Sequence, residues 1–176
     1  MAEASDALRL FFALWPDDAT RAELDRAGSW LHRHWGGRRM RADSLHLTLV
    51  FLGSVPQSKL PAILACADAV RAGGFELTLD RCGFWPRNRI GWLGMAQPCD
   101  RLDALAAELR QSLADAGTAF DARPFFPHVT LLRNTGGGAS PAFVPLRWPV
   151  REVALVSSSA DAGRSRYDIV GRRALA

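Results

Sequence analysis

Residues 46–51 read HLTLVF and residues 128–133 read HVTLLR. One phrase, histidine–apolar–threonine–leucine, thus occurs twice in a chain of 176 residues with four histidines in all. The copies lie 128 − 46 = 82 residues apart. In an extended strand, alternate side chains share a face. His46 and Thr48 therefore point one way, and Leu47, Leu49 and Phe51 point the other way, into a core. The same parity sets His128 beside Thr130 and buries Val129 and Leu131. Each strand offers one imidazole and one hydroxyl to a common surface. Arg133 stands at an odd offset from His128, so it reaches that surface only from beyond the strand end or after a bulge.

The flanking sequence alternates between strand and helix patterns. Leu8–Trp15 reads as a buried strand bounded by Pro16. Asp17 or Asp18 then caps a helix to about His34, with Ala22, Ala27, Trp30 and Leu31 near helical spacing. A polar, glycine-marked loop leads to a strand over Leu45–Leu52, which stops at Gly53. A second helix fits about Ser58–Ala72, with Gly73 and Gly74 as its stop. Phe75–Arg81 alternates as a strand, GFWPRN reads as a turn, and Arg89–Met95 as the hairpin partner. Asp100 caps a third helix to about Ala116, with Leu102, Leu105, Leu109 and Leu113 inward. Val129–Leu132 follows, then a glycine-rich loop that reads as mobile, and strands near Glu152–Ser157 and Arg166–Gly171. The order β-α-β-α-β-β-α-β-β-β predicts an α+β fold with mixed or antiparallel sheets rather than a doubly wound parallel one. The repeated strands, each following a helix, predict two pseudo-symmetric lobes within a single domain over residues 1–176.

Composition removes several function classes. An apolar fraction of 48% describes an ordinary globular chain with enough length for a substantial core. No apolar run reaches membrane-spanning length, and the start lacks the basic n-region of a signal peptide, so a cytoplasmic location is expected. Cys66, Cys82 and Cys99 are an odd set without CxxC spacing, which argues against a disulfide framework and a thiolate zinc site. Cys66 reads as a small core residue. The net charge is +4, and Lys59 is the only lysine beside 22 − 1 = 21 arginines. Arginine's planar fork suits phosphate, so the charge permits a nucleic-acid or nucleotide partner without requiring one.

The repeated phrase points to phosphoryl chemistry. Two opposed imidazoles suit in-line displacement at phosphorus: one, neutral, takes a proton from the attacking hydroxyl, and the other, protonated, gives one to the departing oxygen. An ordinary pKa of about 6.5 makes both states accessible near neutral pH. Thr48 and Thr130 could donate to non-bridging oxygens, and an arginine could offset charge there. No metal is needed by this logic. His32 and His34 sit on a basic helix end and read as solvated or dipole-stabilising, without a third ligand for zinc.

The paired HxT phrases resemble those of the 2H phosphoesterase superfamily. RLFFALWPDD, ADSLHLTLVFLG, FELTLDRCGFWPRNRIGWLGM, PFFPHVTLLR and LVSSSADAGRSRY look most similar to bacterial RNA 2′,3′-cyclic phosphodiesterases, the 2′-5′ RNA ligase family. The resemblance implies a bilobal fold with the active cleft between lobes and no cofactor. It also implies opening of RNA 2′,3′-cyclic phosphate ends to leave a 2′-phosphate. On that pattern His46 is the proton donor to the leaving 3′ oxygen and His128 the acceptor that activates water. Thr48 and Thr130 hold phosphate oxygens, Arg133 supports the phosphate, and Tyr167 lines the cleft or packs in the core. Phe11 and Trp92 are candidates to stack a base. RNA ends or nucleotide cyclic phosphates are the expected partners of a monomer, with weak reverse joining of RNA ends as 2′-5′ linkages. Other readings are action on 2′-5′-linked oligonucleotides or on small cyclic phosphates of nucleotide or ADP-ribose type, and an RNA-binding module whose histidines are spent.

Overall fold

The computed structural model describes residues 7–161 and 164–175. Within them the chain runs β1 (Ala7–Leu14), α1 (Asp18–Trp35), β2 (Arg38–Arg39), β3 (Leu47–Pro56), α2 (Leu60–Asp68), β4 (Phe75–Leu79), β5 (Arg81–Trp85) and β6 (Ile90–Gly94). It continues with α3 (Asp100–Asp115), β7 (His128–Arg133), β8 (Leu146–Val150), β9 (Glu152–Asp161) and β10 (Arg164–Ala174). The fold is α+β, and its strand pairs are antiparallel. The main sheet is ordered β10-β9-β1-β3-β7-β6-β5, with β2 added alongside β7, while β4 and β8 form a separate pair.

Two arms of this sheet meet at its middle. One is β3-β1-β9-β10 and the other is β7-β6-β5, joined through one residue pair, Leu47 opposite Val129. Beyond that pair the two strands part, and their freed backbone groups find other partners, as buried polar groups must. β2 pairs along β7, the Met40 N–H donates to the Leu131 carbonyl (2.9 Å), and the Asp121 N–H donates to the Phe51 carbonyl (2.8 Å).

The helices cross between the arms. α1 leaves β1, yet it packs behind β7; α3 precedes β7, yet it packs behind β3. α2 lies against α3 and β10. Asp17 caps α1 by accepting the Thr20 N–H at 2.8 Å, satisfying one of the free amides of the first turn. The inward stripes Leu24–Gly28–Leu31–Trp35 of α1 and Leu102–Leu105–Leu109–Leu113 of α3 recur every three or four residues, which puts them on one helix face. With Leu47, Leu49, Val129, Leu131 and Leu132 from the strands, they form one continuous core. Cys66 is buried in it, as expected.

Several sequence expectations need correction. β4 does not form the hairpin with residues 89–95. Asp80 ends it: its N–H donates to the Gly94 carbonyl (3.0 Å), and its carboxylate accepts the Ala96 N–H (2.7 Å). Arg81–Trp85 then starts a new strand against β6, and the turn shrinks to residues 86–89, with Arg89 at φ 54°. β4 pairs instead with β8, a strand the sequence reading did not include; it carries Pro149, and a two-stranded edge tolerates the missing N–H. α2 is shorter than Ser58–Ala72, beginning after a 3-10 turn at Gln57–Lys59. The final strands run longer than expected.

The glycine-rich loop is packed rather than loose. Thr135 Oγ1 donates to the Trp35 carbonyl (2.8 Å), and Trp35 Nε1 donates to the Ala139 carbonyl (3.0 Å). A Cβ on Gly137 would fall 2.3 Å from the Phe84 ring, and one on Gly138 would fall 2.9 Å from Trp35. The glycines admit close approach of the backbone to these rings.

Candidate active site between two arms

The repeated strands share one irregularity. Opposite β1, Thr48 and Val50 face adjacent residues Ala13 and Phe12, so Leu49 is an extra residue in β3. Opposite β6, Thr130 and Leu132 face adjacent residues Trp92 and Gly91, so Leu131 is an extra residue in β7. Each bulge falls on the third residue after the histidine. A bulge shifts the alternation of faces by one. Accordingly Leu49 with Val50, and Leu131 with Leu132, are consecutive buried pairs.

The shift corrects one expectation and resolves another. Phe51 does not enter the core with Leu47 and Leu49; it returns to the histidine face and lines the cleft. Arg133, its counterpart in β7, returns in the same way and lines the cleft with His128 and Thr130.

The joint between the arms sets how the histidines meet. In an antiparallel pair the numbers of opposed residues have a constant sum, so Leu47 opposite Val129 puts His46 level with Thr130 and Thr48 level with His128. The histidines are diagonal neighbours on one face, a relation that spaces side-chain roots by about 7–8 Å. All four side chains line a cleft of about 390 Å³, together with Arg9, Phe11, Ser44, Ser158, Ser159, Ser165 and Tyr167. A phosphate group fits between imidazoles so placed.

Each imidazole is oriented by its own strand. His46 Nδ1 bonds the Ser44 carbonyl and His128 Nδ1 bonds the Phe126 carbonyl, both at 2.8 Å and both two residues back. A carbonyl only accepts, so Nδ1 carries the proton in both rings. Nε2 is left to accept a proton from a neutral ring or to give one from a charged ring.

The surroundings differ. Trp15 stacks on His46 (5.3 Å between centroids, 9° between planes), Phe11 tilts against it at 5.0 Å, and Tyr167 meets it edge-on at 5.1 Å. His128 has Trp85 edge-on at 4.6 Å and the half-exposed Phe126 at 6.1 Å. Burial is the largest influence on His46 and lowers its pKa from 6.5 to about 4; repulsion from His128 and Arg133 adds to this, and the Ser44 carbonyl opposes it. Burial also lowers the pKa of His128, opposed by the Phe126 carbonyl.

Other candidates fall out clearly. Tyr167 both lines the cleft and packs on Phe11. Phe11 is a wall of the cleft, 3% exposed, rather than an open stacking platform. Trp92 is buried flat over Gly83, where a Cβ would fall 2.0 Å from its ring, so it does not reach the cleft. His34 bonds the Trp30 carbonyl on the far helix, away from the site. Among the described residues, no three His, Cys, Asp or Glu side chains group as a metal-binding set. Sequence reasoning missed Arg9, Phe51, Trp15 and Trp85. Phe51 was legible from its equivalence to Arg133, but the other three depend on strands paired across long separations.

Known proteins share both sequence and architecture with this chain. It is 40% identical to the RNA 2′,3′-cyclic phosphodiesterase of Escherichia coli strain K12, over 97% of this chain and 98% of the relative. It is 30% identical to the protein of the same name from Thermus thermophilus, over 86% and 82% of the two chains. The crystal structure of E. coli LigT complexed with 3′-AMP superposes with a TM-score of 0.85 at 40% identity, covering 96% of this chain and 98% of that one. The family model of the 2′-5′ RNA ligase superfamily matches residues 16–162 and so spans both histidine motifs. By that match and those identities, the chain belongs to the 2′-5′ RNA ligase superfamily.

Proposed function

We propose that this protein is an RNA 2′,3′-cyclic phosphodiesterase, opening the cyclic phosphate at an RNA end to leave a 2′-phosphate. The observation that carries this reading is the diagonal pair His46 and His128, each held through Nδ1, on one face of a cleft shared with Thr48, Thr130 and Arg133. The names of the relatives support the same substrate class.

In the reaction His128 Nε2 takes a proton from water as its oxygen attacks phosphorus. The bond from phosphorus to the 3′ oxygen breaks, and His46 Nε2 gives that oxygen a proton. Thr48 and Thr130 donate to the non-bridging oxygens, and the Arg133 guanidinium offsets charge building there. Before substrate enters, burial keeps His46 neutral, so the donor gains its proton as the anionic phosphate arrives and makes the charged ring favourable. The same step with the 5′-hydroxyl of a second RNA end in place of water joins the ends as a 2′-5′ linkage: that oxygen bonds to phosphorus as His128 takes its proton, the bond to the 3′ oxygen breaks, and His46 protonates the 3′ oxygen. Proton transfer by two imidazoles requires no metal, so activity is expected to persist in chelator.

Residues 1–176 act as one bilobal domain, the crossed helices α1 and α3 tying each arm to the other. The protein works as a monomer in the cytoplasm; no helix among the described residues is long and apolar enough to cross a membrane.

The test is to incubate the protein with an oligonucleotide ending in a 2′,3′-cyclic phosphate and locate the phosphate on the product. A 2′-phosphate is expected. A 3′-phosphate would reverse the leaving oxygen, and absence of any product would remove the reading.

A further inference from the structure

We infer that Arg9, with Ser158, Ser159 and Ser165 around it, forms a second phosphate subsite for the 5′-phosphate of the nucleotide whose cyclic phosphate lies between the histidines. The inference rests on the phosphodiesterase reading above and asks what else of the substrate the cleft holds.

The two arms show where this subsite comes from. After its bulge, β7 presents Arg133 to the cleft; after the equivalent bulge, β3 presents Phe51. The cation on the β3 side is supplied by the neighbouring strand β1, whose Arg9 guanidinium lies over the Phe51 ring at 4.9 Å. The cleft thus has a guanidinium at each end, and no acidic side chain among the described residues lines it. Arg39, Arg41, Arg147, Arg166 and Arg172 are each paired with a carboxylate. Among the described residues no carboxylate is seen to pair with Arg9.

Spacing and chemistry select the ligand. Because Leu49 is extra, Phe51 is the next cleft-facing position after Thr48, about 7 Å further along the strand. Arg9 therefore stands roughly one ribose away from the phosphate seated at Thr48. The wall beside it is made of hydroxyls: Ser158 Oγ donates to the Arg9 carbonyl (3.5 Å), and Ser159 and Ser165 are exposed at the cleft. Hydroxyls and a guanidinium fork suit phosphate oxygens. A base would need an open aromatic face, and that of Phe51 is covered by Arg9.

The subsite favours an RNA end, or a nucleotide carrying a 5′-phosphate, over a nucleoside cyclic phosphate with a free 5′-hydroxyl. The experiment compares kcat/KM for cytidine 2′,3′-cyclic phosphate with and without a 5′-phosphate. The wild-type protein is expected to prefer the 5′-phosphorylated compound roughly tenfold, the scale of one charge-assisted contact. Arg9→Gln should bring that ratio close to unity, and Arg9→Lys should restore part of it. A wild-type ratio near unity, or a ratio left intact by Arg9→Gln, overturns the inference. Failure to hydrolyse either compound or a cyclic-phosphate oligonucleotide has a different cause: it removes the phosphodiesterase reading and the subsite with it.

Discussion

The β3 and β7 halves of the cleft share a backbone pattern and differ in what surrounds it. Both carry histidine, apolar residue, threonine and an extra leucine, and both tie the histidine Nδ1 to a carbonyl two residues back. Around His46 three aromatic rings close in; around His128 there are two, one half-exposed. At the far end Phe51 under Arg9 answers to Arg133. Like local sequence produces like strand geometry. Unlike neighbours then assign different electrostatics to two chemically identical side chains. Acid–base catalysis needs one ring to hold a proton while the other lacks it; in the free protein burial keeps the donor His46 neutral, so it is the substrate phosphate that must charge it.

The largest effects test whether the two halves are equally necessary. His46→Ala and His128→Ala should each lower kcat on a cyclic-phosphate oligonucleotide by roughly 10²–10⁴-fold. Combining them should cost little more than the worse single change, because both act in one step. Single-turnover assays read this out, and a variant retaining full turnover would break the two-histidine mechanism.

Next comes stability against pH. The folded pKa of His46, about 4, lies below its ordinary 6.5, so the unfolded chain binds the extra proton first. The contribution is fully present above about pH 6.5 and is lost as pH falls from there towards 4. It amounts to at most about 3 kcal/mol. Urea unfolding at about pH 7.5 and about pH 4.5, on either side of the ordinary histidine pKa, measures it, and His46→Gln should flatten the difference. His128, shifted in the same direction, contributes in the same sense.

Smaller effects sharpen the inequality between the halves. Arg133→Gln should lower kcat/KM by roughly 10–100-fold, the scale of a charged hydrogen bond, whereas Phe51→Leu should cost less. If His46 is the donor, binding of inorganic phosphate near neutral pH should take up as much as one proton, measured by calorimetry in buffers of different ionisation enthalpy. Binding without uptake would transfer the donor role to His128. The pH–rate profile should be bell-shaped. Trp15→Leu should move the pKa of His46 upward and Trp85→Leu that of His128, each by a fraction of a unit, as water reaches the ring. Equal shifts from both variants would erase the distinction between the two halves.

Much of the site is written locally. The repeated HxTL phrase identified His46, Thr48, His128 and Thr130, since face alternation over three residues needs no knowledge of the rest of the chain. The odd offset of Arg133 left two routes to the cleft, a place beyond the strand end or a bulge, and the bulge is the one found. The position of that bulge follows from pairing with β6 and so was not visible, and its twin against β1, which turns Phe51 out of the core, was legible only through the equivalence of Phe51 to Arg133 in the repeat. The hairpin expected for β4 failed for a similar reason: β4 finds its partner in β8, some seventy residues on.

By itself, then, the sequence determined the three helices, most of the strands though not β2, β5 or β8, the α+β class and the two histidine–threonine pairs, because capping, periodicity and side-chain parity act over a few residues. Tertiary structure alone decided that Leu47 meets Val129, that Trp15 and Tyr167 enclose His46, and that Arg9 covers Phe51. Those contacts join residues distant in the chain. Desolvation and charge at a group depend on everything packed around it, so the proton affinities of the two imidazoles became distinct only when the arms closed on one cleft.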